Sequence, residues 1–407
     1  MFFLVSSCLR GYIRRLQSVK PMVYADNNAT TRVADEVLAA MLPFFTDAYG
    51  NPSSMYEFAT EAKKPLEHAR AQVAALINAG RPDEIVFTSC GTESDNAAIF
   101  GVLAAMPAKK HVVMTTVEHP AIYNLDEELG RRGCRVTKLA VNRAGLPNLD
   151  DLRAAISTDT ALVSMMWANN ETGVIMPVAP AAAIAHGRGV LFHTDAVQAV
   201  GKIPVDVQAT GVDLLSLSGH KFHAPKGVGA LYVRHGTRIR PFFVGGHQEH
   251  GRRAGTENVP YAVALGAAAD LAATFLKDEA TRVRALRDQL ERGLLERIPH
   301  SSVNGDPVLR TPNTSSISFK FVEGEAILLM MSAAGICASS GSACTSGSLE
   351  PSHVLRAMGL AHADAHGTVR FSLSRFSTEA DVAAILEHLP PIITRLRAIS
   401  PFGPKNK

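Results

Sequence analysis

DLLSLSGHKFHAPKGVGALYV, residues 213–233, sets two short apolar runs (213–218 and 229–233) on either side of a turn rich in glycine. Each run has the length and composition of a strand buried on both faces. Similar runs recur toward the N-terminus: EIVFT (84–88), HVVMTTVE (111–118), RVTKLAV (135–141), ALVSMMW (161–167) and VLFHT (190–194). Helical stretches such as NLDDLRAAIS (148–157) lie between several of them. Earlier, Val37, Leu38, Met41, Leu42 and Phe45 fall on one face of a helix expected over Ala34–Phe45, and Leu66, Ala69, Val73 and Leu76 mark a second. Continuous apolar strands alternating with helices predict an α/β fold built on a mainly parallel sheet covered on both sides. Ligands of such sheets gather beyond the carboxyl ends of the strands, so polar residues there are the candidates for function.

The pattern changes near residue 277. A charged helix (277–297), then SISFKF (316–321), a helix in EGEAILLMMSAAG (323–335), ICASS (336–340), TVRFSLS (368–374) and a terminal helix predict a smaller α+β domain. The expected division is a large domain over 35–276, a small one over 22–34 with 277–407, and an extension over 1–21.

The 407 residues carry 41 basic and 38 acidic side chains, a net charge of +3 that gives no electrostatic case for nucleic acid. Arg10, Arg14, Arg15 and Lys20 all precede the first acidic residue, Asp26; the remaining chain is close to neutral. Residues 1–21 lack the long apolar core of a secretory signal. They read as sequence upstream of a start at Met22, with a mitochondrial transit peptide as the competing reading. No run reaches the ~18 apolar residues of a membrane span. Cys8, Cys90, Cys134, Cys337 and Cys344 form no CxxC pair and no metal-ligand spacing, which argues for a reducing, cytoplasmic setting.

The chemistry starts from Lys221, in the turn Gly219-His220-Lys221 after the strand ending at Ser218. A lysine held there unprotonated can bond covalently to an aldehyde cofactor; alone, it would be a surface lysine. Asp195, just past another strand end in VLFHTDAVQ, supplies the carboxylate that keeps the ring nitrogen of pyridoxal phosphate protonated. Gln198 is placed to bond the ring's phenolic oxygen. In EIVFTSCGTESDN, Gly91 and Thr92 offer N–H groups and a hydroxyl to a phosphate, although Thr92 equally suits a helix cap. His119 can stack on a flat ring or shuttle a proton. Asn170, in WANNETG, can reach the ring oxygen or a substrate carboxylate. Arg370, in TVRFSLSR, suits bidentate binding of that carboxylate, with a strand-edge salt bridge as the competing reading. Cys344 sits in SSGSACTSGSLEPSH, a run with no apolar pattern to fix it in a core; it is expected to be exposed on a mobile loop and reactive as a thiolate. Cys90, Cys134 and Cys337 are expected to be small buried apolar side chains.

Asp195, Gln198 and SGHK with Lys221 resemble the class-V, fold-type I pyridoxal-phosphate transferases. The resemblance adds Ser218, Gly219 and His220 to the cofactor site and assigns Thr256, in RRAGTEN (252–258), to the phosphate of the neighbouring subunit, which requires a homodimer. The cysteine loop and Arg370 are similar to those of cysteine desulfurases. DNNATTRV (26–33), GNPSS (50–54), FTSCGTESD (87–95), MWANNETG (166–173), GGHQE (245–249) and HGTVRFSLSR (366–375) narrow the likeness to the nitrogen-fixation branch, over about 22–400. That resemblance implies conversion of L-cysteine to L-alanine with a persulfide on Cys344, a NifU-like iron–sulfur scaffold as acceptor, and Cys344 as a transient cluster ligand. A housekeeping desulfurase serving tRNA thiolation, a class-V aminotransferase without use for Cys344, and a non-enzymatic binding module are the competing readings.

Overall fold

The computed structural model describes residues 22–340 and 351–401. Its strands in chain order are β1 (Val23–Tyr24), β2 (Ile85–Thr88), β3 (His111–Thr115), β4 (Arg135–Leu139), β5 (Thr160–Ser164), β6 (Leu191–Asp195), β7 (Leu214–Ser218), β8 (Gly229–Val233), β9 (Ser301–Val303), β10 (Thr314–Phe319), β11 (Ile336–Cys337) and β12 (Thr368–Ser372). Seven form one sheet in the order β2-β8-β7-β6-β5-β3-β4. The run from β4 to β7 is parallel throughout, and β8 alone is antiparallel to both neighbours.

Burial explains why these runs read as continuously apolar. All residues of β2, β3, β5, β7 and β8 are buried, whereas the edge strand β4 is largely half-exposed. Successive side chains point to opposite faces. Val112 and Met114 join the core that contains Ile99 and Val102 of the helix Gly91–Ala105, while Val113 joins the core of Leu66, Val73 and Leu265 on the other side. There the helices Glu57–Leu76 and Val259–Asp278 approach so closely that a Cβ on Gly266 would lie 2.6 Å from the Ala69 Cα. Val259–Asp278 opens a helical run long and apolar enough to cross a membrane by composition, but Ala262, Leu265, Ala268 and Ala269 are spent on this core.

A second core gathers Leu286, Leu290, Ile317, Phe319, Val369, Phe371, Ile385 and Leu389 around the antiparallel sheet β12-β10-β9. β1 pairs with β11 in parallel and Ala25 enters this core, so the first described residues belong to it although they precede the large sheet.

Two expectations about helices need correction. The charged helix expected over 277–297 is the second half of a continuous run from Val259 to Arg297, through a π-helical turn at Glu279–Val283. The change in composition at 277 is thus a change in surroundings along one helix. The helix expected over Ala34–Phe45 is interrupted before Pro43, giving Asp35–Met41 and Pro43–Thr46. Of its five apolar positions only Val37 and Met41 are buried; Leu38, Leu42 and Phe45 are 47%, 54% and 50% exposed. With Tyr49, Met55 and Tyr56 they leave an apolar surface around residues 38–56.

Candidate active site

Beyond the carboxyl ends of β2, β3, β5, β6 and β7 lies a cavity of about 320 Å³. Gly91, Thr92, His119, Asn170, Asp195, Gln198, Ser218, His220, Lys221 and Arg370 all line it. Parallel strands put their ends on one side of the sheet, which is how residues far apart in sequence converge there.

Lys221 ends the single 3₁₀ turn that follows β7. Its Nζ donates to the main-chain oxygens of Asn28 (2.7 Å) and Ala29 (2.8 Å), on the segment arriving from β1. The same segment is tied to the turn by the Thr31 N–H and hydroxyl, both donating to the His220 carbonyl. His220 and His119 are each pushed down to about 4, chiefly by burial and then by the Lys221 charge, so both rings are neutral near pH 7. His119 Nδ1 accepts the Ala121 N–H at 3.2 Å, which places the ring proton on Nε2.

Asp195 closes β6, and its Oδ1 accepts the Val197 N–H at 2.9 Å. Burial raises its carboxyl to about 6. A second carboxyl, Asp95, also lines the cavity, held well above the usual range by burial and then by the Asp195 charge. Gln198 Nε2 donates to the Asn28 oxygen at 2.9 Å, and its Oε1 accepts from Lys202.

Gly91 opens the fifteen-residue helix Gly91–Ala105. A Cβ there would fall 2.8 Å from Val197 Cγ2 and 3.4 Å from Ser218 Cβ, so the close approach demands glycine. Among the described residues Ser218 Oγ beside it is buried without a hydrogen-bond partner, as are Asn170 Oδ1, Asp95 Oδ1 and Arg370 Nε around the same cavity. Buried polar atoms of this kind are costly unless a ligand completes them. An amine, a carboxylate and a helix N-terminus with adjacent hydroxyls fit an aldehyde, a ring nitrogen and a phosphate, so the residues present suit pyridoxal phosphate.

Arg370 is 3% exposed. Its Nη2 donates to Asp26 Oδ1 at 2.7 Å and its Nη1 to the Asn170 carbonyl at 2.9 Å. The ion pair held open as the competing reading is therefore present, and Nε has no partner among the described residues.

Some expectations fall elsewhere. Gly219 is packed in the core, where a Cβ would lie 2.9 Å from Ala224 Cβ and Leu265 Cδ1, and it does not line the cavity. Thr256 is exposed and also outside the cavity of its own chain. Cys90, expected to be a buried apolar side chain, is half-buried and lines the cavity, because the turn from β2 into the helix carries it to the ligand side. Cys337 is half-buried on the short strand β11, and only Cys134 is buried as expected. Cys344, with its expected loop and cluster ligation, lies outside the described residues; among those described, no group of His, Cys, Asp and Glu is disposed to hold a metal. Asn28, Ala29, Asp95 and Lys202 were not singled out from sequence. Asp95 had a signal, since it lies one helical turn after Gly91.

The family model for class-V aminotransferases matches residues 23–385. "Cysteine desulfurase 2" of Trichormus variabilis is 58% identical over 382 residues, covering 94% of this chain and 96% of that protein. "Cysteine desulfurase NifS" of Azotobacter vinelandii is 54% identical, covering 94% and 96% respectively. Among solved structures, a "NifS-like protein" superposes with a TM-score of 0.87 at 38% identity, over 92% of this chain and all of the other. A structure of "SspA in complex with cysteine" superposes with a TM-score of 0.77 at 34% identity, over 87% and 99%.

Proposed function

This chain belongs to the class-V aminotransferase family and is a pyridoxal-phosphate-dependent cysteine desulfurase, and we propose that it passes sulfur from L-cysteine through Cys344 to iron–sulfur cluster assembly for nitrogenase. The observation that carries the chemistry is the cavity itself, which brings Lys221, Asp195 and His119 together at the ends of three strands. The 54% identity to NifS of Azotobacter vinelandii supports the nitrogen-fixation branch.

In this reading Gly91, Thr92 and Ser218 hold the phosphate of pyridoxal phosphate, His119 covers its ring, Asp195 pairs with the ring nitrogen and Gln198 with the phenolic oxygen. When bound, the cofactor supplies an electron-withdrawing ring that stabilises negative charge at the substrate Cα. Lys221 holds and returns the proton at that carbon, its Nζ kept in place by two fixed carbonyls. His119, neutral at physiological pH and carrying its ring proton on Nε2, can offer that N–H as a hydrogen-bond donor to the substrate. Arg370 Nε, from the small domain, and Asn170 Oδ1, from the loop after β5, have no hydrogen-bond partner among the described residues and are the groups assigned to the substrate's carboxylate and amine. The Cys344 thiolate attacks the substrate sulfur, forming the S–S bond as the C–S bond breaks; the electron pair stays with carbon, which takes a proton to become L-alanine.

The apolar surface around residues 38–56 and the exposed Thr256 support a homodimer in which Thr256 reaches the partner's phosphate site. The decisive assay mixes the protein with L-cysteine and a thiol and measures sulfide and alanine together. Equal yields of the two support desulfuration. Keto-acid formation without sulfide would point to an aminotransferase. Growth on dinitrogen of a strain lacking the gene, against its growth on ammonium, separates nitrogenase supply from a housekeeping role.

A further inference from the structure

Lys202 is 5% exposed, does not line the cavity, and has no part in the chemistry above. It lies four residues after Gln198, and its Nζ donates to Gln198 Oε1 at 2.5 Å. The Lys202 amine donates here whether charged or neutral, so the amide edge facing it is the oxygen. The other edge faces the Asn28 main-chain oxygen at 2.9 Å, which can only accept, so it must be the NH₂. Both neighbours suit one and the same orientation of the amide.

The Asn28 oxygen is itself held still. Asn28 donates its N–H to Ser372 Oγ (2.9 Å) and its Nδ2 to Thr314 Oγ1 (2.8 Å), while its Oδ1 accepts from Asn313 Nδ2 (3.0 Å). All three partners belong to the small-domain side, on or next to β10 and β12. That same Asn28 oxygen also receives Lys221 Nζ.

We propose that Lys202 is a positioning residue: by occupying Gln198 Oε1 it fixes the amide so that its NH₂ is the edge available to a phenolate oxygen beside Lys221. The ligand class is an anionic aromatic oxygen, that of the cofactor placed here in the preceding section, and the inference rests on that reading. The charged groups facing Lys202 are Lys221 and Arg370, of like sign, and Glu279 in the π-helical turn. Burial and the neighbouring cations lower the lysine to about 7, while burial raises Glu279 to about 8 and leaves its Oε2 without a hydrogen-bond partner. The lysine is thus kept in a costly place, which its contact with Gln198 explains and packing alone does not.

The test is Lys202→Met, alone and combined with Gln198→Leu, in full-length protein reconstituted with pyridoxal phosphate. Two quantities are read: cofactor dissociation constant, and the pH at which the visible band of the bound cofactor titrates. Lys202→Met leaves the amide held by the Asn28 oxygen alone, so the dissociation constant should rise about 3- to 10-fold, the range of one hydrogen bond. Losing a donor to the phenolate and a nearby cation both favour the protonated chromophore, so the midpoint should move up. With Gln198→Leu already present, Lys202→Met should change the dissociation constant less than twofold, because the residue acts through the amide. Lys202→Gln, which keeps an N–H donor without the charge, serves if Lys202→Met does not fold, and should retain most of the affinity. An unchanged dissociation constant in Lys202→Met, an equal loss in both backgrounds, or a loss in Lys202→Gln as large as that of Gln198→Leu would overturn the proposal. Wild-type protein that binds no pyridoxal phosphate would instead overturn the reading of the cavity.

Discussion

Asp195→Asn should make the cofactor-free protein more stable and the loaded enzyme far less active. Asparagine keeps the shape and the acceptor for the Val197 N–H, and removes only the charge. Burial raises the Asp195 carboxyl from its ordinary 3.8 to about 6. With the folded-state value above the unfolded one, the folded state holds the proton more tightly, so Asp195 lowers stability as pH rises from about 4 through 6. At pH 7.5 that cost reaches about 3 kcal/mol, and at pH 4.5 it shrinks to about 1 kcal/mol. Urea unfolding of cofactor-free protein at these two pH values should therefore show the variant more stable, by a margin that narrows with acid. Adding pyridoxal phosphate should reduce or reverse the advantage, because the carboxylate then pairs with a protonated ring nitrogen. Cysteine turnover should fall by orders of magnitude for the same reason. A variant no more stable than wild type at pH 7.5, or a margin that widens at pH 4.5, would refute the claim that the charge is stored there at a cost. Unchanged turnover would refute its assignment to the ring nitrogen.

Lys221→Ala should show no imine absorbance, no cofactor fixed covalently by borohydride and no sulfide release; turnover without added amine would remove the lysine from the mechanism. Cys344→Ala should keep the cofactor and its spectral response to cysteine but release no sulfide, and wild type briefly exposed to cysteine should gain about 32 Da on the Cys344 peptide. Added mass on Cys90, the half-buried thiol at the cavity wall, would reassign the acceptor. Glu249→Ala should destabilise the fold by about 3 kcal/mol in urea, since Arg70, with side-chain exposure of 3%, loses the buried carboxylate it grips at 2.6 and 3.0 Å and keeps only the half-exposed Glu67; a loss under 1 kcal/mol would mean that Glu67, the Ile85 carbonyl and the Phe87 ring suffice to hold the guanidinium.

How much of this was legible in the sequence depends on the range of the interaction that decides each feature. Most strands of the large sheet were legible because burial on both faces makes each a continuous apolar run, whereas the half-exposed edge strand β4 was legible only through its β-branched residues. The interrupted helix near Pro43 was not: Leu38, Leu42 and Phe45 carry helical periodicity, yet the face they form is exposed in the single chain. Periodicity reports that a face is apolar and not what covers it. Likewise the charge pattern beginning at residue 277 marks the place where one helix leaves the large core for the small one, and the chain does not break there.

The site divides in the same way. Lys221, Asp195, Gly91 and His119 announce themselves because each sits at a strand end and carries its own chemistry. Asn28 and Ala29 contribute only main-chain oxygens, which any residue has, so no side-chain pattern could single them out. Lys202 is four residues beyond Gln198 in a stretch of turns, where a lysine is ordinarily a surface residue, and only the burial of both shows otherwise. What remained hidden is thus the layer that aims the reacting groups. Asn28 ties β10 and β12 to Lys221 and Gln198 through one carbonyl, so the two halves of the chain meet at the atom that orients both the amine and the amide. That carbonyl therefore links the β10–β12 sheet to Lys221 and Gln198, whereas Asp195 is held by the main chain of its own turn, where its Oδ1 accepts the Val197 N–H.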